Sequence, residues 1–228
     1  MLLTPDGHPD KPVILSNLGN PFRSRFERTK VPSDIEEAIK NGEQSVLLTP
    51  DGHAIQSSMF FNLGASFFSR FMHTQSTSDG HQAMTHYRSA ATCNTGSPLD
   101  RLYSSQQWAR LAANFDPPSA LVACRRAMDL IPQLAWIGDP IGTRHSQINQ
   151  LDDFPREVAA LALYAGKPDL ALQWLELGRS VVWNQLLDLR TSVDELRQAH
   201  PDICTEFTQN SKVQSLESLC GGRKHPFI

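Results

Sequence analysis

The chain has 228 residues, of which 40% are hydrophobic, and its formal net charge at pH 7 is −3. This composition is sufficient for a buried core, and the even spread of lysines and arginines gives no electrostatic case for binding nucleic acid or an anionic membrane. No apolar run approaches the roughly 20 residues that cross a bilayer, and no basic-then-apolar leader follows Met1. We therefore expect a cytoplasmic protein that contacts neither nucleic acid nor membrane.

Two copies of one segment reveal an internal repeat. Leu3-Thr-Pro-Asp-Gly-His8 recurs as Leu48-Thr-Pro-Asp-Gly-His53, a spacing of 45 residues. The same spacing relates two further pairs of segments, Asn17-Leu-Gly19 to Asn62-Leu-Gly64 and Ser24-Arg-Phe26 to Ser69-Arg-Phe71. A period of this size is typical of stacked supersecondary units. We interpret residues 1–8 as the remnant of a preceding unit, so the array is expected to be cut short there.

The first two units, which together occupy residues 1–91, are each predicted to form a pair of helices. In the first unit, apolar residues at three- and four-residue steps predict a helix from about Pro9 to Phe26, with a kink at Pro21. The second helix of this unit is predicted to open with a capping box, Ser33-Asp-Ile-Glu36, and to end at Pro50.

The second unit repeats this plan less regularly. Helices are predicted from Ile55 to about Met72 and from about Asp79 to Ala91, separated by a soft loop rich in serine, threonine and glutamine. Gly80 stands where the first unit has Ile35, so we interpret residues 74–80 as an eroded part of the repeat.

Residues 98–190 are predicted to hold two further helix pairs, joined by a connector at residues 133–150. Pro117-Pro118 is expected at the turn within the third pair, and Pro132 at the end of that pair. The remaining segments are predicted to be C-terminal helices at 192–219 and a disordered tail at 220–228.

The helix pairs share a pattern of small and large residues that is typical of tetratricopeptide repeats. Small residues at the crossing allow two helices to approach closely, and large residues fill the space beside them. The pattern is carried by Leu18-Gly19, Phe22 and Ala38, by Leu63-Gly64, Phe67 and Ala83, by Leu111-Ala112, Phe115 and Ala120, and by Val158-Ala159, Ala162 and Ala171. We predict an all-α fold in which helix-turn-helix tetratricopeptide-like repeats stack as a right-handed superhelix, an α-solenoid.

Several segments resemble fungal proteins that join a tetratricopeptide array to a C-terminal CHAT domain. They are Leu3 to Pro12, Asn17 to Asn20, Ser24 to Arg28, Trp108 to Ala112, and Trp174 to Ser180 with Trp183 and Leu189 to Thr191. CHAT domains are similar to caspase-like cysteine peptidases, and the resemblance places their His/Cys pair in the C-terminal domain. This chain stops before that domain would begin, so the resemblance covers the repeat region only.

The resemblance implies a protein–protein interaction or scaffolding module, the recognition or regulatory arm of a CHAT-type effector, with no catalytic step of its own. Three alternatives remain open. The chain could be the N-terminal part of a CHAT cysteine peptidase whose catalytic domain is missing here, an inhibitor of full-length relatives, or a decayed copy without a function.

Polar residues on the first helix of each pair are candidate contacts for a protein or peptide partner. We expect these helices to line the concave groove, with the residue before each Leu-Gly or Leu-Ala pair reaching the partner. Amide and guanidinium groups suit a peptide backbone and a carboxylate respectively, although the same residues could be the polar flank of a helix. The candidates are Asn17, Asn20, Arg25, Asn62, Arg70 and Arg110. A further prediction is self-association through the open ends of the array.

Other reactive or metal-ligating residues are interpreted as structural. His200 and Cys204 are four apart, but Pro201 favours an ordinary surface pair over a catalytic or metal site. His8 and His53 each follow Asp-Gly, as expected of polar turn residues. We predict no cofactor, no metal site and reduced thiols, because the cysteines show no C-x-x-C spacing; these are Cys93, Cys124, Cys204 and Cys220.

Overall fold

The structure is a computed structural model that describes Pro5, residues 8–134 and residues 154–178. These residues belong to one compact unit. The predicted helices at 192–219, the predicted tail at 220–228 and most of the predicted connector at 133–150 lie outside the described residues.

All regular secondary structure in the described ranges is helical, which confirms the predicted all-α class. The helices are α1 (Lys11–Thr29), α2 (Pro32–Leu48), α3 (Gln56–Thr74), α4 (Thr77–Thr92), α5 (Pro98–Phe115), α6 (Pro117–Leu134), α7 (Phe154–Tyr164) and α8, which is helical over 168–178. None of these helices is both long and apolar enough to span a membrane.

Neighbouring helices pack in sequence order from α1 to α6, and α6 in turn packs against α7. The first helices of successive pairs also touch, because α1 contacts α3 and α3 contacts α5. The small residues lie where two helices cross, as predicted. A Cβ added to Gly19 would lie 3.2 Å from the carbonyl oxygen of Ala38, and one added to Gly64 would lie 3.1 Å from the ring of Tyr87.

The 45-residue period is also a period of contacts. Each of the first two units contains a bidentate ion pair, here called the arginine–aspartate clamp, which joins the first helix to the first turn of the second. Arg25 Nε donates to Asp34 Oδ2 at 2.6 Å, and its Nη2 donates to Oδ1. Arg70 makes the same two bonds to Asp79, at 2.9 and 2.7 Å. The hydrogen bond from Arg25 lowers the pKa of Asp34.

The turn inside each clamp has the same backbone conformation in both units. Lys30 and Gln75 both adopt a left-handed conformation with φ of 58°, and their N–H groups close the preceding helix on Phe26 and Phe71. This conformation is disfavoured for residues other than glycine, so the packing around the turn must stabilise it in both units.

Two local predictions in the first unit meet different outcomes. The capping box is wrong, because α2 begins at Pro32 and its N-cap residue, Val31, makes no side-chain cap. Ser33 therefore lies inside the first turn. The adjacent Asp34 is held by the clamp. Helix α1 runs without interruption through Pro21, and the kink itself stays a prediction.

The predicted erosion of the second unit is wrong. Only Gln75 and Ser76 separate α3 from α4, so most of the expected soft loop is helical. Gly80 makes room for an aromatic ring from the next unit, since an added Cβ would lie 2.5 Å from Phe115 Cζ. The glycine is therefore a packing position.

The prolines of the third pair lie inside helix α6. Pro117 and Pro118 form its first turn, where a missing N–H costs nothing. Pro132 lies within the same helix, so the helix continues past the predicted end.

Removal of the buried carboxylate of the second clamp should destabilise the fold. Asp79→Ala would leave Arg70 without its bidentate partner, and hydrogen bonds to charged groups contribute about 1.5–3 kcal/mol. Glu36 also accepts from Arg70, at 2.9 Å, but its side chain is 62% exposed, so Glu36→Ala should cost less than about 1 kcal/mol. Urea unfolding of both variants measures the difference, and equal losses would contradict the assignment of the clamp.

A half-buried histidine should make stability depend on pH. His86 stacks on Phe60 and Phe67, with ring centroids 6.2 and 5.4 Å apart, and burial lowers its pKa. The unfolded chain therefore takes up this proton first, so the free energy of unfolding should fall between about pH 7 and pH 5. His86→Phe, which keeps the stack, should lose this part of the pH dependence in urea titrations. An unchanged slope would show that other groups cause it.

Candidate partner-binding cleft

The three arginines among the predicted contact residues all bind carboxylates of the chain itself. Arg25 and Arg70 form the clamps with Asp34 and Asp79. Arg110, on α5, makes a bidentate pair with Glu157 of α7, at 3.1 to 3.2 Å. Their guanidinium groups therefore serve contacts within and between helix pairs.

The three predicted asparagines lie in different surroundings. Asn62 Nδ2 donates to Ser16 Oγ at 2.8 Å and so joins α3 to α1. Asn17 is exposed and Asn20 is half-buried, and neither side chain makes a hydrogen bond within the described part of the chain. The structure does not gather the six predicted residues at one surface, and their role in partner binding stays a prediction.

A cleft of about 460 Å³ opens between α1 and α3. Most of its lining comes from two sets of residues, here called the α1 wall and the α3 wall, and α4 and α5 contribute one residue each. The lining residues are Arg23 and Glu27 of α1, Lys30 of the following turn, Phe61, Ala65, Phe68, Ser69 and Met72 of α3, Tyr87 of α4 and Gln107 of α5.

The α3 wall of the cleft is apolar. Phe61, Ala65, Phe68 and Met72 follow one another at three- and four-residue steps and therefore share one side of the helix. Met72 is 58% exposed, and the two phenylalanines are half-buried. Exposed apolar surface of this kind, concentrated in a cleft, is typical of sites that bind a ligand or a partner.

The α1 wall of the cleft is polar, although two of its residues occupy the repeat positions that are apolar in the α3 wall. Adding 45 to Arg23 gives Phe68, and adding 45 to Glu27 gives Met72. Glu27 accepts from Arg23 at 3.0 Å and from Ser69 at 2.7 Å. The Nε of Arg23 is buried and has no hydrogen-bond acceptor within the described residues.

Tyr87 of α4 is also part of the cleft lining. Its ring lies 5.6 Å from that of Phe61, and its side chain is almost fully buried. Burial raises the pKa of Tyr87, while the nearby Arg23 lowers it and Glu27 raises it. The hydroxyl is therefore protonated at neutral pH, and it makes no hydrogen bond to another described residue.

The other reactive groups in the described part of the chain have structural roles. Cys93 and Cys124 are free, and burial raises the pKa of both thiols, that of Cys124 to about 12. Such thiols are poor nucleophiles at neutral pH. His8 Nδ1 and His53 Nδ1 each accept a backbone N–H two residues ahead, which confirms their role in turns. Within the described ranges, no three His, Cys, Asp or Glu residues are grouped to hold a metal.

The apolar wall was not among the predicted contact residues, which on α3 were the polar Asn62 and Arg70. The paired aromatics Phe60-Phe61 and Phe67-Phe68 were the available signal. A helix with aromatics at adjacent positions cannot bury them all on one side. One member of each pair stacks on His86, and the other lines the cleft.

No known protein-family model matches the chain, and no curated protein matches it significantly.

Loss of the Tyr87 hydroxyl should leave stability almost unchanged. Tyr87→Phe removes no hydrogen bond to a described residue, so we expect a change below about 0.5 kcal/mol in urea unfolding. Tyr87→Ala is the contrasting variant, because deletion of the buried ring should cost about 3–5 kcal/mol. A large loss in Tyr87→Phe would mean that the hydroxyl has a partner inside the fold.

Proposed function

We propose that the chain is a protein-binding module that holds a peptide segment of its partner in the cleft between α1 and α3. The observation that carries this proposal is the apolar wall of Phe61, Phe68 and Met72, in which Met72 is 58% exposed and the two phenylalanines are half-buried.

The chemistry of the two walls favours a particular kind of peptide. The apolar wall suits one large apolar side chain, such as leucine, methionine or phenylalanine. Arg23 and Lys30 outnumber Glu27 among the charged lining residues, and Glu27 already accepts two hydrogen bonds. A carboxylate next to the apolar side chain would therefore be favoured, and the Tyr87 hydroxyl could donate to the same group.

The architecture that best fits these contacts is a right-handed superhelix of tetratricopeptide-like units. In such a solenoid each helix packs on the next, and the first helices of successive pairs also touch. The contacts of α1 with α3 and of α3 with α5 support this arrangement. With the sequence resemblance, we propose that the module is the cytoplasmic recognition or regulatory arm of a CHAT-type effector.

Selection from a displayed library of random peptides tests the proposal, with the full chain as bait. Met72→Glu would place a carboxylate on the apolar wall near Glu27, and we expect the Kd of selected peptides to rise at least about tenfold, equivalent to about 1.4 kcal/mol. Selected peptides should combine a large apolar residue with an acidic one. Double replacement of Arg23 and Lys30 by glutamine should remove the preference for the acidic residue.

Leu47→Glu provides the matched control. Leu47 lies on α2, is 83% exposed and is absent from the cleft lining, so the same substitution there should leave the Kd unchanged. Equal affinity of the selected peptides for wild type, Met72→Glu and Leu47→Glu would place binding elsewhere. A selection that yields no binder would also reject the proposal.

A further inference from the structure

Two arginines from different helices lie near the C-terminal end of α4. Arg126, on α6, reaches across to α4, where its Nε donates to the carbonyl oxygen of Ala91 at 3.1 Å. Arg101, on α5, lies near Cys93, the residue that follows α4. Burial raises the pKa of the Cys93 thiol, and the positive charge of Arg101 opposes this rise. Since α4, α5 and α6 all pack against one another, both guanidinium groups share this region.

The positive charge of Arg101 is not compensated within the described residues. Its Nε is buried and has no hydrogen-bond acceptor there. Burial lowers the pKa of Arg101, the positive charge of Arg126 lowers it further, and Cys93 raises it. The neighbouring carboxylate, that of Asp100, accepts instead from Ser58 of α3, at 2.8 Å. A cation that leaves water without a partner costs free energy, so an anion bound at this place would stabilise it.

The end of the helix explains only one of the two arginines. The C-terminus of a helix carries a partial negative charge that favours a nearby cation, and Arg126 already satisfies a carbonyl in the last turn of α4. The Nε of Arg101 makes no such contact. Both arginine side chains are half-buried, so a ligand from solvent can still reach them.

We propose that Arg101 and Arg126 form a binding site for the phosphate group of a small-molecule ligand. Guanidinium groups bind phosphate oxygens through paired N–H donors. A phosphate monoester carries about 1.5 to 2 negative charges at pH 7, which matches two cations. The formal net charge of the chain is −3, which disfavours a long polyanion and therefore indicates a single phosphate group. This inference does not depend on peptide binding in the cleft.

Inorganic phosphate is the probe for this site. Titration calorimetry of the full chain at constant ionic strength should detect binding, and Arg101→Gln should raise the Kd at least about tenfold. Because the described fold offers the Nε of Arg101 no acceptor, this variant should keep the melting temperature of the wild type when phosphate is absent. The matched control is Arg125→Gln. Arg125 is adjacent to Arg126 on α6 and is exposed, so this variant should bind phosphate as the wild type does.

Cys93 provides a second readout near the two arginines. Phosphate at Arg101 would offset the positive charge that favours the Cys93 thiolate, and the thiolate is the form that reacts. Alkylation of Cys93 by iodoacetamide, measured on its own peptide by mass spectrometry, should therefore slow at least about twofold when phosphate is added. Arg101→Gln should abolish this slowing, whereas Arg125→Gln should retain it.

Acetate separates a phosphate site from a general anion site. It carries one negative charge, so we expect it to bind at least about tenfold more weakly than phosphate. Acetate that binds as tightly as phosphate would assign the site to carboxylates and overturn the proposal. So would an absence of phosphate binding, or the same Kd for phosphate in the wild type, Arg101→Gln and Arg125→Gln, since the pair would then serve only the end of α4.

Discussion

The arginine–aspartate clamp is the contact on which each of the first two helix pairs depends. It fixes the end of one helix to the beginning of the next across a turn of two residues. The carboxylate lies in the first turn of the second helix, where the helix dipole favours a negative charge, and its burial requires a bidentate cation partner. The clamp therefore sets the angle at which the pair closes, and it allows the left-handed residues Lys30 and Gln75 to be tolerated.

The same arginine also connects one unit to the next, and this gives the array its repeated interface. Arg70 holds Asp79 within its own unit and Glu36 of the preceding unit, while Asn62 and Ser69 add bonds to α1. Most of these bonds lie near the surface and contribute little singly. Together they fix the alignment of one unit on the next, because each donor has one acceptor at one position of the neighbouring pair.

The sequence was sufficient to predict the period, the helix pairs and the close approach at Gly19 and Gly64, since all of these are expressed in local spacing. The sequence was not sufficient to predict side-chain contacts between different helices. Gly80 resembled erosion because the ring that fills its space, Phe115, belongs to the next unit. Arg25 and Arg70 resembled ligand-binding residues because Asp34 and Asp79 lie nine residues further on, across a turn. Ser33-Asp34 and Ser78-Asp79 are also related by the 45-residue spacing, and this repetition is the signal in the sequence that indicates the clamp.

The comparison of the two units also separates structural from functional residues. Several positions that the fold uses are kept at the 45-residue spacing, as for Gly19 and Gly64 where helices cross or Arg25 and Arg70 in the clamp. The cleft breaks this rule, because Asn20, Arg23 and Glu27 of α1 correspond to Ala65, Phe68 and Met72 of α3. Packing can also change the residue between equivalent positions, as Ile35 and Gly80 show. Phe68 and Met72 differ from that case, because Phe68 is only half-buried and Met72 is 58% exposed. Apolar side chains left exposed in a cleft support the proposed binding of a peptide that carries an apolar and an acidic residue.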